Sequence, residues 1–352
     1  IARYKMHARQ FDVSGAFLNT PVDTEMHMYP PDGMVIPRGH VLRLRKAIHG
    51  CKQSSRLFGK EFTSLLIEIG FTQSVLDPCI FTMRRNGQLA LLATHVDDGC
   101  AACTCPHMLE NILDQIQKRY DLGGRGPLTQ HLGARIDYDR KRGILRVTNE
   151  SYVQELAHKF GMKSCKPRSL PCVENLKPLE SDQKGIKEQV PYLPLVGSLL
   201  YLSNTVRPDI AFATNQLARF MANPGQVHWK AAKNTLAYLV HSSKLGMTFG
   251  GSQGPLKVTV YSDSDYASTF GTKRRSTTAY LTHVGNDLVS YATKRQATPA
   301  LSSTEAELKA GVEGAKDGMY VRNLLRELKL PVEHVMESKC DNQPCIDVCH
   351  NP

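Results

Sequence analysis

The sequence predicts a mixed α/β (α+β) chain of several domains, and three observations support it. Its 352 residues, 41% of them hydrophobic and 22% charged, suffice to bury real cores. Stretches with apolar residues at helical spacing alternate with short strand-like runs joined by turn signals. The pattern changes at a proline-bearing, weakly periodic stretch over 163–190, a candidate linker, and again at Lys257, where strand alternation resumes. Lysine and arginine number 44 against 33 acids, a formal charge of +11 that suits a polyanionic partner. No apolar run approaches the roughly 18 residues of a membrane span, and no signal-peptide pattern opens the chain. A soluble, intracellular protein, not secreted, is expected. The chain opens on Ile1 rather than Met, as a fragment would.

Element by element, Phe58, Phe62, Leu65, Leu66 and Ile69 recur at helical spacing, and Gly70 is a natural stop. Asn86-Gly87 between two apolar runs marks a hairpin. The second run, Leu89–Val96, ends in Asp97-Asp98-Gly99, which reads as a further turn. Leu109, Ile112, Leu113, Ile116 and Tyr120 trace an amphipathic helix, and helical patterns dominate 192–242. From Lys257 come a strand ending at Ser262-Asp263-Ser264-Asp265, and strands at 277–283 and 288–293 around the turn Gly285-Asn286. A long helix then runs from about Ser302, with Glu305 in capping-box spacing, to about Lys329. A last strand reaches Cys340-Asp341, followed by a helix.

The ten cysteines are irregularly spaced, so reduced thiols are expected rather than a disulfide framework. Cys100, Cys103, Cys105 and His107, and again Cys340, Cys345, Cys349 and His350, offer ligand atoms without the paired spacing of structural zinc sites. Two groups of acids carry more chemistry. Asp12 follows a short strand, and Asp97 and Asp98 stand at a hairpin tip. Carboxylates held at strand ends are what a pair of divalent ions needs for phosphoryl transfer. Strand alternation makes Asp97 the one facing Asp12, with Asp98 partly turned away. Asp263, then Glu305 or Glu307, then Asp341 form the second group. Glu305 and Glu307 are about 200° apart around a helix, so one site takes one of them. Glu307 is assigned to the site and Glu305 to the helix cap.

Asp12-Val13-Ser14-Gly15-Ala16-Phe17-Leu18-Asn19, His95-Val96-Asp97-Asp98 and the stretch Leu44 to Gln53 occur in an order that resembles copia-type retrotransposon reverse transcriptases. Val196–Leu202, Arg207–Ala213 and His228-Trp229-Lys230 are also similar to that family. Tyr261–Asp265, Leu301–Glu307 and Cys340-Asp341-Asn342-Gln343 resemble its ribonuclease H motifs. The likeness spans essentially the whole chain. It implies a partial right-hand polymerase palm over 1–140, a thumb-like helical connection over 141–250 and a ribonuclease H-like domain over 255–352. It implies an RNA-directed DNA polymerase with ribonuclease H activity. Magnesium, with manganese as a substitute, would be held by Asp12, Asp97 and Asp98 and by Asp263, Glu307 and Asp341. RNA template, DNA primer, RNA–DNA hybrid and deoxynucleoside triphosphates are the implied partners, and a cytoplasmic virus-like particle or the nucleus the implied location.

By the same resemblance Phe17 falls where a ring would lie under the sugar, although it reads equally as a core residue. Gly50 and Lys52 would line the nucleotide and template pocket, Gly50 because a side chain would intrude. Lys273, Arg274 and Arg275 read either as hybrid-phosphate contacts or as a solvated turn. Asp265 reads as a turn residue or a support to the site. The sequence departs from the family at His49, Cys51 and His95. Gly123-Gly124-Arg125-Gly126 stands where Lys-Asp-Leu-Gly is usual, so the lysine proposed to protonate pyrophosphate is replaced. Both ends are expected to be truncated, short of the fingers and of the last ribonuclease acid. The competing expectation is an impaired retroelement remnant that only binds nucleic acid.

Overall fold

A computed structural model describes every residue except 173–175, 181–184, 252–255, 268–273 and 352. Lys273 and part of the 163–190 stretch therefore lie outside the described residues. The chain forms two compact units, Ile1–Leu132 with Arg140–Gly143, and Gly133–Asp139 with Ile144–Pro352. The segments read as a helical connection and as a ribonuclease-like domain thus share one unit.

The first unit contains β1 (His7–Val13), α1 (Ala16–Asn19), α2 (Ser54–Ile69), β2 (Thr72–Gln73), β3 (Ile80–Arg85), β4 (Gln88–His95), β5 (Asp98–Cys103), α3 (Pro106–Gln117) and β6 (Leu122–Pro127). The strands make one sheet in the order β2-β3-β4-β5-β1-β6. Its apolar face meets α2 and α3 in a core that includes Phe11, Phe58, Phe62, Leu92, Leu113 and Ile116. α2 forms because Phe58, Phe62, Leu65, Leu66 and Ile69 fall on one buried face, and it stops at Gly70, whose φ of 112° few other residues adopt. Asn86 and Gly87, at φ 50° and 73°, close the β3–β4 hairpin as their sequence predicts. β5 begins tightly against β1: a Cβ on Gly99 would fall within the Phe11 ring.

The second unit opens with β7 (Ala134–Asp139) and β8 (Ile144–Thr148), then α4 (Glu150–Lys159), α5 (Tyr192–Thr205), α6 (Ala211–Ala218) and α7 (Gln226–His241). These helices share a core built on Tyr192, Leu195, Val196, Leu199, Leu236 and Leu239. Next come β9 (Gly246–Gly250), β10 (Val258–Asp265), β11 (Thr277–Val284), β12 (Asp287–Arg295), α8 (Ser303–Glu327), β13 (Glu337–Lys339) and α9 (Gln343–His350). β9 pairs with β8, whereas the last four strands form their own sheet, β12-β11-β10-β13, with β13 parallel to β10. α8 lies close on this sheet because it presents Ala310, Gly314 and Gly318 one turn apart. A Cβ on Gly314 would come within 2.8 Å of Val260.

The helical part is pinned by one buried cation. Arg207, 2% exposed, donates from Nε and Nη2 to the two carboxylate oxygens of Asp209 at 2.9 and 2.7 Å. It also donates to the Ser242 carbonyl and hydroxyl at 3.0 and 2.7 Å, tying the start of α6 to the end of α7. Burial would raise the Asp209 pKa, but Arg207 and the Tyr238 hydroxyl outweigh it and hold the carboxyl below its usual value. Breaking such a pair leaves a charge stranded, whereas replacing both members by apolar residues costs far less. Asp209→Ala is therefore expected to destabilise this unit by about 3 kcal/mol, and Arg207→Met with Asp209→Leu by much less. A depressed carboxylate pKa gives stability that is present above the unfolded value and lost as pH falls through the folded one. Denaturant titrations should show the Asp209→Ala deficit at neutral pH closing in acid.

Candidate active sites

In the first unit backbone pairing brings three aspartates to one end of the sheet, near enough for their charges to act on one another. β1 runs antiparallel to β5 with Asp12 directly opposite Asp98, and His95 pairs with Asp98 across the β4–β5 hairpin. Val96 and Asp97 form the two-residue turn, Val96 at φ 57°, a strained value for a β-branched residue. The Val13 amide donates to the Asp97 carbonyl at 2.9 Å, fastening the turn to β1. Two expectations are corrected. The turn precedes Asp98 instead of containing it, and Asp98 is not turned from Asp12, since facing residues of an antiparallel pair share a face. The Asp12 carboxyl is raised above its ordinary value by burial first, then by the charge of Asp97, then by that of Asp98.

Residues around this cluster take distinct places. Gly123 of β6 faces Asp12 from the other side of β1. A Cβ there would lie 3.3 Å from the Ser14 hydroxyl and 3.6 Å from the Asp12 carboxylate, in a backbone conformation open to any residue. Position 123 therefore looks at the acid, and glycine leaves that view without a charge. Phe17, 8% exposed, sits in the core with its ring edge-on to His49 at 4.7 Å between centroids. Gly50 and Lys52 are exposed in the turn before α2. Nothing lies within 4 Å of a Cβ on Gly50; its φ of 94° is what demands glycine, so backbone conformation replaces the intruding side chain as the reason.

In the second unit, α8 delivers Glu307 to the end of β10. The Glu307 carboxylate is buried, with 6% residue exposure, and its Oε1 accepts from the Ser264 amide at 3.1 Å and hydroxyl at 2.8 Å. Its pKa is raised, first by burial and then by the charges of Asp263 and Asp341, against the lowering effect of Ser264. Asp263 and Asp341 are exposed, one on β10 and one just after β13. Glu305 stands elsewhere: its amide donates to the Ser302 hydroxyl at 3.1 Å, its Oε2 accepts from the Leu301 amide at 2.7 Å, and it pairs with Lys309. Asp265 ends β10, and its charge acts on Arg219. Arg274 is exposed and Arg275 half-buried.

The sequence alone does not place two neighbours of this site, Ser264 and Cys340, the latter read there only with Cys345, Cys349 and His350 as a possible ligand group. Ser264 was visible only as the residue between two aspartates. Cys340, beside Asp341, donates its thiol to Glu307 Oε2 at 3.8 Å. The donor atoms of Glu307, Cys340 and Asp341 all lie within 4.8 Å of one another. Asp263 is not one of that close group, and Asp12, Asp97 and Asp98 do not approach one another as closely; in both places the donor type, carboxylate oxygen under like charge, is the one hard divalent cations take. A carboxyl with a raised folded pKa gives stability that is present below the unfolded pKa and lost as pH rises through the folded one. In metal-free buffer, Glu307→Gln should thus melt higher than the unsubstituted protein at pH 7 and show no such gain at pH 4. A divalent cation should narrow the gap.

Comparison with known proteins gives the family to which the chain is similar. A family described as reverse transcriptase (RNA-dependent DNA polymerase) matches residues 1–174. Over 99% of its length the chain is 33% identical to the retrovirus-related Pol polyprotein from transposon TNT 1-94 of Nicotiana tabacum, covering 27% of that protein. It is 31% identical to the corresponding polyprotein from transposon RE2 of Arabidopsis thaliana, over 98% of this chain and 23% of that protein. The chain thus spans about a quarter of the length of these curated relatives. A solved foamy viral protease-reverse transcriptase in complex with RNA/DNA hybrid is similar at a TM-score of 0.49 and 13% identity, over 94% of this chain and 38% of that one.

Proposed function

This chain belongs to the copia-type retrotransposon Pol family and carries its reverse transcriptase domain, and from that premise we propose an RNA-directed DNA polymerase joined to a ribonuclease H. The carrying observation is a doubled one. In each unit one carboxyl, Asp12 or Glu307, has its pKa raised first by burial and then by the charges of two acidic neighbours. Such repulsion is relieved by divalent cations, with magnesium the hard ion that carboxylates prefer and manganese its substitute. When bound, the ions would activate the attacking oxygen and neutralise charge developing on phosphate.

In the first unit Asp12, Asp97 and Asp98 would hold the ions against a primer 3′ hydroxyl and a deoxynucleoside triphosphate. The Val13–Asp97 hydrogen bond fixes their spacing, which matters because small displacements of reacting groups cost rate steeply. In the second unit Asp263, Glu307 and Asp341 would hold ions against the RNA strand of an RNA–DNA hybrid, with water as nucleophile. Ser264 orients Glu307 through two hydrogen bonds to one oxygen, leaving the other toward Asp341 and Cys340. By the family resemblance Phe17 would lie under the sugar, and Gly50 and Lys52 would line the nucleotide and template pocket, with the exposed Lys52 toward a template phosphate. The formal charge of +11 suits both nucleic acids.

A second reading, a chain that binds hybrid and catalyses little, rests on one observation. Gly123 faces Asp12 with no proton donor where the family resemblance implies a lysine. A placed general acid contributes roughly 10²–10⁴-fold, so its lack would leave slow extension without affecting hybrid cleavage.

A recessed-primer RNA–DNA hybrid labelled on both strands, with magnesium and all four deoxynucleotides, tests the proposal on one gel. Asp97→Asn should stop primer lengthening and spare RNA shortening, and Asp263→Asn should do the reverse; extension surviving in Asp97→Asn would sink the assignment. Gly123→Lys is expected to speed extension, by up to the roughly 10²–10⁴-fold of a placed general acid. An unchanged rate would remove Gly123 from the account of slow extension. Hybrid affinity should fall steeply between about 50 and 200 mM salt, as phosphate contacts release counterions.

A further inference from the structure

We propose that Glu307, Cys340 and Asp341 form a site for a zinc-class divalent cation, with the Cys340 sulfur as a ligand. The inference rests on the reading that these carboxylates serve hydrolysis only in its consequence, which is competition with magnesium. Three donor atoms, one from α8 and two from the segment after β13, already lie within 4.8 Å of one another. The Cys340 Sγ to Glu307 Oε2 separation is 3.8 Å. Two ligands of a tetrahedral zinc, one sulfur and one oxygen, stand about 3.5 Å apart. A shift of a few tenths of an ångström therefore closes the pair around an ion.

A second observation points to a cation. Glu307 is a buried carboxylate with two further carboxylates bearing on it. Among the described residues its hydrogen bonds come from Ser264 and the Cys340 thiol, and no lysine or arginine forms an ion pair with it. Buried charges of this kind are ordinarily paired or coordinate metal. Its Oε1 is committed to Ser264, so Oε2 is the oxygen left for a metal, and that is the atom the thiol meets.

Sulfur decides which metal. Magnesium takes oxygen donors in near-octahedral geometry and gains nothing from a thiolate. Zinc, cobalt and cadmium accept mixed sulfur and carboxylate sets, and three protein ligands leave one position for water. On binding, the Cys340 S–H bond breaks, its proton leaves to solvent and an S–metal bond forms, with no change of oxidation state. Occupancy by zinc takes Glu307 and Asp341 from magnesium, so zinc acts as an inhibitor of hydrolysis at this site. Cys345, buried at the start of α9, is in side-chain contact with both Cys340 and Cys349, so Cys345 and Cys349 are the alternative thiols.

Cobalt(II) titration of the full chain tests this, because cobalt–thiolate coordination gives a charge-transfer absorption in the near ultraviolet. The band should be present, should diminish in Cys340→Ser, and should persist in Cys345→Ser with Cys349→Ser. Asp341→Asn, at an exposed position that leaves the fold intact, should weaken cobalt and zinc affinity at least about tenfold. A band unchanged by Cys340→Ser, or lost only with Cys345 and Cys349, overturns the site. Hybrid cleavage in magnesium on the same samples separates the two readings. A band that follows Cys340 without any cleavage supports this site and counts against the hydrolase; cleavage without such a band does the opposite.

Discussion

Like charges held together by backbone pairing are the constraint on which the rest of this molecule depends. Asp12 faces Asp98 because β1 and β5 are in register, and Asp97 joins them because a single amide, that of Val13, fixes the turn. Neither arrangement is favourable for the carboxylates themselves: burial first, and then the charges of Asp97 and Asp98, push the Asp12 carboxyl above its ordinary pKa. The stability comes from elsewhere, from the core that α2 and α3 complete against the sheet. Strain at Val96 belongs to the same pattern, a local cost concentrated where the acids meet and offset by the surrounding packing.

The second unit solves the same problem by different means. A long helix, not a hairpin, carries the central acid, and three small residues let that helix lie close enough for Glu307 to reach Ser264. The helix start is fixed independently through Ser302 and Glu305, so the register that aims Glu307 is set by a cap and a packed face together. The fold thereby assigns two glutamates two residues apart to different tasks, one structural and one at the acid cluster.

Much of this was legible in the sequence. The Asn86-Gly87 hairpin, the α2 stripe ending at Gly70, the helix beginning beyond Ser302 and the split between Glu305 and Glu307 all follow from local rules of period and capping. The Val96–Asp97 turn was not, because Asp-Gly is a stronger turn signal than a β-branched residue at positive φ. Gly99 turned out to make room for Phe11, a tertiary demand that no local pattern announces. Gly50 was legible as a required glycine but for another reason, since its conformation and not a neighbour requires it. The places of Cys340 and Ser264 depend on how β10, β13 and α8 assemble, and the buried Arg207 on a contact 35 residues away with Ser242.

The central proposal is that both sets of acids hold divalent cations. Anomalous diffraction from crystals soaked in manganese tests it directly, since manganese takes magnesium sites and is visible by its own scattering. The account predicts peaks beside Asp12, Asp97 and Asp98 and beside Asp263, Glu307 and Asp341. Manganese bound only elsewhere, with both clusters empty at saturating concentration, would contradict it.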